Sequence, residues 1–259
     1  MITSPQNPKI KELLLLQSKS RERKARGLFV VEGRREYLRA RAAGLRTATL
    51  FVREGEPEES QADFVVSRQV YEKIAWREGT EGIVAVMHAQ EHRLEGLQLS
   101  ANPLILVLES VEKPGNLGAV LRSADAAGVD ALLVCDPLTD LYNPNLIRAS
   151  LGAVFSVPVA VCPSEEAYEW LSARGITILT AQLQDSDLYY ETDMVRAVAL
   201  VFGTEDRGLS PFWRERAQAH IRIPMAGMMD SLNVSVSAAI LAFEAVRQRN
   251  QQNQQNQQI

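Results

Sequence analysis

Residues 221–246 place a polar loop between a short strand and a long helix, and this arrangement restricts the folds open to the chain. Ile221 and Ile223 end an apolar strand, and Pro224 stops it because proline removes a backbone donor. Asp230-Ser231-Leu232-Asn233 then supplies residue types that cap a helix, and apolar residues follow at helical spacing. In an open α/β sheet, ligands bind where strands end and helices begin. We therefore expect a binding site at this loop.

Two earlier segments have the same design. Residues 105–136 predict a βαβ unit, with a buried strand, a polar loop, a helix from Asn116 to about Ala127 and a second strand. Residues 198–210 predict a strand that runs into a loop of glycine and polar residues. Strands and helices alternate between these segments, so we predict an α/β domain whose mostly parallel sheet is covered on both faces.

The three segments together resemble the SpoU/TrmH family of RNA 2′-O-ribose methyltransferases, of the SPOUT superfamily, in order and spacing over roughly residues 103–247. The matching motifs are Asn116-Leu117-Gly118 with Arg122-Ser123-Ala124, Phe202-Gly203-Thr204-Glu205 with Gly208-Leu209-Ser210, and Ile223-Pro224-Met225 with Ser231-Leu232-Asn233-Val234-Ser235. The resemblance implies methyl transfer from S-adenosyl-L-methionine to a ribose 2′-hydroxyl of RNA, with rRNA preferred over tRNA as the substrate.

The resemblance also implies a knot and a partner. The loop 225–230 and the last helix would form a C-terminal trefoil knot, a rare exception to unknotted chains. Members of the family dimerise through this region, so we expect a symmetric homodimer. The apolar face of the last helix is long enough to serve both the core and the partner, with Ala238, Leu241, Ala242 and Ala245.

Site residues are carried over from the matching motifs. The family binds its cofactor mostly through backbone groups, which implies a cofactor site at Gly203, Thr204, Ile223, Met225 and Leu232. Simple core packing would equally explain Ile223 and Leu232. The catalytic positions implied are Asn116, Arg122, Glu205, Ser231 and Asn233.

The catalytic positions have alternative roles. The family gives the arginine at position 122 the central role, sometimes as the base. A guanidinium stays protonated in proteins, so we favour Arg122 as a phosphate clamp that positions the ribose and stabilises the developing alkoxide. Asn116 caps its helix or orients Arg122, and Glu205 is a turn carboxylate or a partner of Asn116 and the substrate. Ser231 and Asn233 can cap the last helix while contacting the hydroxyl.

Charge is distributed unevenly along the chain. The net charge of −4 combines +8 in residues 1–50 with −12 in the remainder. A basic arm on an acidic body is typical of proteins that bind a polyanion, although many charge runs are only solvated helical faces. We predict RNA binding by the cluster of Lys19, Arg21, Arg23, Lys24 and Arg26.

Composition argues against several classes. Hydrophobic residues make up 46% and charged residues 23%, as in globular proteins. The chain has no apolar run of the ~18 residues that a membrane span needs, and its start does not resemble a signal peptide. Two cysteines without ligand spacing and three scattered histidines predict neither a disulfide framework nor a metal site. We expect a cytoplasmic protein.

Two domains are predicted, with the boundary in a polar segment. Residues 1–92, with a helix at 9–25, resemble the ribosomal-protein-like α/β substrate-binding domain of many SpoU proteins. Residues 93–103 are expected to be a linker and 104–250 the methyltransferase domain. The Gln/Asn-rich residues 251–259 are expected to be a disordered tail.

Two other functions compete with this interpretation. A nicotinamide enzyme would need G-x-G-x-x-G after its first strand, which the loop Pro114-Gly115-Asn116-Leu117-Gly118 lacks. A non-catalytic RNA-binding protein of the same fold would keep the basic arm but could lose Arg122, Glu205 or Asn233. All three are present, so we favour the enzyme. Asp206 and Arg207 stand where the family often has small or variable residues, which leaves the substrate preference open.

Overall fold

The first unit of the fold is built from two separate stretches of chain. The structure, a computed structural model, describes residues 1–76, 81–204 and 206–256. The first unit comprises Met1–Glu91 and Asp140–Ser156, and the second comprises His92–Thr139 and the chain from Val157 onward. The predicted first domain, residues 1–92, is therefore incomplete, because residues 140–156 from the middle of the chain also belong to this unit.

Helices and strands alternate along both units. Before residue 92 they are α1 (Pro8–Ser18), α2 (Ser20–Arg26), β1 (Leu28–Glu32), α3 (Arg34–Ala42), β2 (Thr47–Arg53), β3 (Phe64–Val66), α4 (Arg68–Ile74) and β4 (Ile83–His88). After it they are β5 (Leu104–Glu109), α5 (Pro114–Ala127), β6 (Ala131–Cys135), α6 (Pro144–Ala149), β7 (Val159–Cys162), α7 (Ser164–Ser172), β8 (Thr177–Ala181), β9 (Asp187–Leu188), β10 (Val198–Phe202), α8 (Pro211–Arg216), β11 (Ala219–Arg222) and α9 (Val234–Asn256).

The first unit has a four-stranded sheet in the order β1-β4-β2-β3. Strand β4 is antiparallel to both its neighbours, and β2 and β3 are parallel. Buried side chains of α1 and α4 pack on this sheet, among them Ile10, Leu13 and Val70. Their helical spacing in the sequence is what directs one face of each helix to the core.

The helix predicted over residues 9–25 is two helices. Lys19 has extended backbone (φ −120°, ψ 108°) and separates α1 from α2. The break lets Arg23 turn back, so that its guanidinium donates to the carbonyls of Leu16 (2.7 Å) and Gln17 (3.1 Å). Carbonyls in the last turn of a helix lack helical partners, and a cation is favourable there. Arg23 thus closes the end of α1.

The segment 140–156 completes the core of the first unit. Tyr142 stacks on Phe29 with ring centroids 4.0 Å apart. Asp140 accepts the Arg23 guanidinium at 2.5 Å, and the two side chains are only 10% and 5% exposed. Separating a buried ion pair leaves an uncompensated charge, so this contact is costly to break.

The second unit has a seven-stranded sheet in the order β7-β6-β5-β10-β8-β11-β9, in which every pair of neighbours is parallel. All residues of β5, β6 and β10 are buried, as expected when both faces of a parallel sheet are covered. The predicted α/β fold with a parallel sheet is confirmed. From β5 the chain continues to one side of the sheet and from β10 to the other, so ligands are expected near the carboxyl ends of these strands.

The linker predicted at 93–103 packs on the second unit instead. Leu94 is 3% exposed in the core, with Leu97 and Leu99 packed against it. The Ser100 N–H donates to the Asp130 carboxylate at 2.8 Å. Leu94, Leu97 and Leu99 give this otherwise polar segment an apolar side. The segment therefore packs on the core and is not a free linker.

The tail predicted to be disordered from residue 251 is helical as far as Asn256, since α9 continues through it. Residues 257–259 lie outside the described residues. Just before the tail, Arg249 donates to four carbonyls, those of Asn102, Pro103, Met194 and Arg196, at 2.8 to 3.1 Å. A helix fixed this firmly can extend through glutamines, which have good helix propensity. No helix within the described ranges has the length and apolar character to cross a bilayer.

Candidate active site

A cavity of about 420 Å³ opens at the carboxyl ends of β8, β10 and β11. Its wall is formed by the segments that follow these strands and by the approach to α9. All five residues predicted to bind the cofactor line it, together with Ser231: Gly203, Thr204, Ile223, Met225 and Leu232. The volume lies in the range of roughly 300–1,000 Å³ typical of small-molecule sites.

The loop after β10 requires glycine at position 203. The Thr204 N–H donates to the Gly208 carbonyl at 3.1 Å, and the Gly208 N–H donates back to the Thr204 carbonyl at 3.0 Å. A Cβ on Gly203 would lie 2.2 Å from the Gly208 carbonyl oxygen and 2.4 Å from the Leu209 nitrogen. Both are backbone atoms, so the loop itself would have to move. Glu205, a predicted catalytic residue, lies outside the described residues.

A carboxylate of this loop is held ionised at the cavity. Asp206 lines the cavity, and a hydrogen bond from the Thr204 side chain lowers the pKa of the Asp206 carboxyl. Asp206 is exposed, as is Arg207 beside it. The Arg207 Nε lies 3.5 Å from the Asp206 carboxylate, so this negative charge is partly balanced by its neighbour.

Asn116 and Asn233 meet although they are far apart in sequence. The Asn233 side-chain amide donates to the Asn116 side-chain oxygen at 3.2 Å. Asn233 also accepts from the Ser235 N–H at 2.9 Å, in the manner of a helix cap. Helix α9 consequently begins at Val234, so Asn233 rather than Ser231 lies at its start.

A smaller cavity of about 110 Å³ adjoins the larger one. It is lined by the loop between β5 and α5, by Asn116 and by Val234. Gly203, Thr204 and Asp206 line both cavities. The β10 loop therefore forms a wall that the two cavities share.

Arg122 lies elsewhere on α5. It is exposed, whereas Leu117, Val120, Leu121 and Ala124 face the core. Arg122 is not among the residues that line either cavity. Arg122 is therefore exposed on its helix, but the described cavities do not place it facing a ligand.

The RNA-binding prediction for Arg23 needs correction. Its side chain is 5% exposed and occupied by Asp140 and by the end of α1. The charge run in the sequence could not distinguish a buried cation from its exposed neighbours. Lys19, Arg21, Lys24 and Arg26 are exposed, and Arg26 pairs with Glu12 at 2.8 Å.

Sequence reasoning missed some residues of the cavity wall. Gln182, Leu183 and Gln184 follow β8, while Arg214 and Arg222 come from α8 and the end of β11. Gln182 and Gln184 come directly after an apolar strand, as the polar residues of the other motifs do. This pattern could have predicted that they line the cavity. No cluster of three or more His, Cys, Asp or Glu that could hold a metal ion occurs in the described part of the chain.

The fold and the cavity define an α/β enzyme domain that binds a small molecule at the carboxyl ends of parallel strands, attached to a smaller α/β unit. The chain belongs to the SpoU rRNA methylase family, whose model matches residues 103–243. An MRM3-like substrate binding domain matches residues 7–85.

Individual relatives agree with the family. The chain is 28% identical to the 23S rRNA (guanosine(2553)-2′-O)-methyltransferase RlmP of Bacillus subtilis over 93% of this chain and 97% of the relative. Its structure matches the crystal structure of an RNA 2′-O ribose methyltransferase with 43% identity and a TM-score of 0.84, covering 96% and 98% of the two chains. It also matches AviRb of Streptomyces viridochromogenes in complex with AdoMet, with 27% identity and a TM-score of 0.86, covering 95% and 100%.

These matches confirm the predicted family. With it they confirm the enzyme class, an RNA 2′-O-ribose methyltransferase, and the cofactor, S-adenosylmethionine.

Proposed function

We propose that this protein transfers a methyl group from S-adenosylmethionine to the ribose 2′-hydroxyl of a nucleotide in rRNA, in preference to tRNA. The observation that carries the proposal is the convergence of Gly203, Thr204, Ile223, Met225 and Leu232 on one cavity of about 420 Å³. These residues come from two motifs separated along the chain, and core packing alone would not require them to surround a cavity.

The cavity residues fit the cofactor. Gly203 lets the loop after β10 close on itself at the cavity wall, because any Cβ there would collide with Gly208 and Leu209. Ile223, Met225 and Leu232 supply apolar surface for an adenine. When bound, S-adenosylmethionine supplies an electrophilic methyl group for in-line displacement.

The remaining predicted residues act on the RNA in this proposal. Asn116 and Asn233 hold each other beside the smaller cavity and offer polar groups to the ribose. Ser231 faces the cofactor cavity and contacts the hydroxyl, and Glu205 keeps its proposed role toward the substrate. Arg122 clamps an RNA phosphate, which requires the RNA to pass over the exposed side of α5.

Methyl transfer with labelled cofactor tests the function. Purified protein is incubated with tritium-labelled S-adenosylmethionine and an unmodified 23S rRNA transcript, and the digested RNA is separated into nucleosides. A labelled 2′-O-methyl nucleoside is expected, with much less label on a tRNA transcript. RNA binding without any transfer of label would instead support the non-catalytic alternative.

The exposed part of the basic arm should govern the salt dependence of RNA binding. Replacing Lys19, Arg21, Lys24 and Arg26 together with glutamine should weaken binding and flatten the plot of log affinity against log salt. Each lost phosphate contact reduces the slope by about 0.7 for single strands and 0.9 for duplexes. Arg23→Gln is the matched control. It should lower the melting temperature but spare the slope, because Arg23 is paired with Asp140. An unchanged slope in the quadruple variant would contradict RNA binding by the arm.

The proposal includes a homodimer formed through the second unit, but the residues proposed to contact the partner differ from those expected from the sequence. The four residues expected to serve a partner, Ala238, Leu241, Ala242 and Ala245, are fully buried within their own chain. Val236 and Phe243 of α9 are 45% and 48% exposed and supply the apolar surface instead. Light scattering should give the mass of two chains, and Phe243→Asp should shift it toward one; a single-chain mass for the wild type at micromolar concentration would contradict the dimer.

The trefoil knot formed by the loop 225–230 and α9 also remains a proposal. So does a cytoplasmic location, where rRNA is accessible and Cys135 and Cys162 stay reduced.

A further inference from the structure

Trp76, two residues after the end of α4, is exposed to an unusual degree for its size. It is 61% exposed, whereas Trp213 is fully buried. Tryptophan is the largest apolar side chain and is usually highly buried. An exposed indole therefore leaves a large hydrophobic surface in water, and its presence calls for a function.

The indole is held in place from two sides. The Trp76 backbone N–H donates to the Glu32 carboxylate at 2.9 Å. The Arg148 guanidinium lies over the ring, 4.9 Å from its centroid, and is itself 3.7 Å from the other oxygen of Glu32. One carboxylate thus anchors both the backbone that carries the ring and the cation that stacks on it.

This support does not make Trp76 a core residue. The first unit's core includes the preceding Ala75 among its partly buried members, and within the described residues Trp76 is not part of it. A comparable pair in the second unit differs in this respect. There, Arg174 lies 4.1 Å from the Trp170 ring, but Trp170 packs against the core of that unit.

We infer that Trp76, positioned by Arg148 and Glu32, is a stacking platform for an unpaired base of the RNA substrate. The inference rests on the proposed function, since it takes RNA as the substrate. Aromatic rings and guanidinium planes are the groups on which proteins stack single-stranded bases, and a base in a regular duplex is already stacked and cannot reach such a ring. Trp76 lies within the stretch that matches a substrate binding domain, which places the platform on the RNA-binding part of the chain.

Affinity for RNA is the first test. Trp76→Ala should raise both the dissociation constant and the KM for a 23S rRNA transcript by about 5- to 150-fold, the range that corresponds to ~1–3 kcal/mol per stacked base. The affinity for S-adenosylhomocysteine and kcat at saturating RNA should be unchanged. Trp76→Phe should retain most of the affinity because phenylalanine still offers a π-face. Leu38→Ala is the matched control, because Leu38 is an apolar side chain of the same unit that is 57% exposed.

Salt dependence separates stacking from charge. Trp76→Ala should lower the affinity equally at all salt concentrations and leave the slope of log affinity against log salt unchanged, because a stacked base releases no counterion. Melting curves of each variant should match the wild type, since the ring adds little to the core.

Fluorescence gives a direct readout of the stack. A single-stranded oligonucleotide of the methylated region should quench the exposed tryptophan of the wild type, and the quenching should disappear in Trp76→Phe although the oligonucleotide still binds. The same oligonucleotide with an abasic site at the stacked position should bind the wild type as weakly as it binds Trp76→Ala.

The outcomes distinguish this inference from the proposed function. Wild-type methyl transfer with unchanged RNA affinity in Trp76→Ala would overturn the platform and leave the enzyme intact. That result would also be expected if Trp76 contacted a protein partner. Absence of methyl transfer by the wild type would overturn the proposed function, while the binding and quenching titrations would still decide whether Trp76 stacks on RNA.

Discussion

Replacing Arg122 with lysine is expected to slow methyl transfer by on the order of 10²-fold or more, as other lost electrostatic donors do. Lysine keeps the charge but loses the planar fork that holds a phosphate through two parallel hydrogen bonds. Arg122 is exposed and lies outside the cofactor cavity, so cofactor affinity and melting temperature should stay at wild-type values. The measurement is single-turnover methyl transfer at saturating RNA, beside cofactor titration and a melting curve.

Two further variants define what the Arg122 result means. Arg122→Ala should be at least as slow as Arg122→Lys, and Arg174→Lys, a change at another exposed arginine of the same unit, should turn over normally. Normal turnover in Arg122→Ala would refute the clamp. Lost cofactor binding or a collapsed fold would show that Arg122 is structural.

Gly203→Ala should weaken cofactor binding by roughly 5- to 150-fold. The added methyl group meets backbone atoms of Gly208 and Leu209 at 2.2 to 2.4 Å, far inside contact distance. Overpacking of this kind costs about 1–3 kcal/mol, and the loop that must move to relieve it lines the cavity. Calorimetry with S-adenosylhomocysteine measures the loss.

Gly227→Ala is the matched control for that experiment. Gly227 lies in the loop before α9, and a Cβ there would meet nothing within 4 Å. Its variant should bind the cofactor as the wild type does. Equal binding by both alanine variants would mean that the β10 loop does not shape the cofactor site.

The position of the larger cavity could be predicted from the sequence because the signal is local. Each wall segment is an apolar strand followed at once by small or polar residues, and parallel strands necessarily bring their carboxyl ends to one edge of the sheet. This predicted where a ligand would bind, whereas the individual residues Gly203, Ile223 and Leu232 were implied by the resemblance to the family. Gln182 and Gln184, which follow β8 and line the same cavity, show the same pattern less clearly.

Contacts between residues that are distant in the sequence were not predicted. Arg23 resembles its basic neighbours until Asp140, 117 residues later, is placed against it. Asn116 and Asn233 are also 117 residues apart, and neither residue type indicates that the other is its partner. Local patterns determine which side chains face inward, but they do not determine which distant side chain completes an ion pair or an amide contact.

The first unit is built from two separate stretches of chain, and this affects how it can fold during protein synthesis. Its sheet is complete by His88, yet Tyr142 must stack on Phe29 and Asp140 must neutralise buried Arg23 before the core is closed. A ribosome adding ~5–20 residues per second needs roughly 3–13 s to go from residue 91 to residue 156. During that interval Arg23 has no Asp140 to pair with and Phe29 has no Tyr142 to stack on. The core of the N-terminal unit therefore cannot be completed until residues 92–139 of the second unit have also been made.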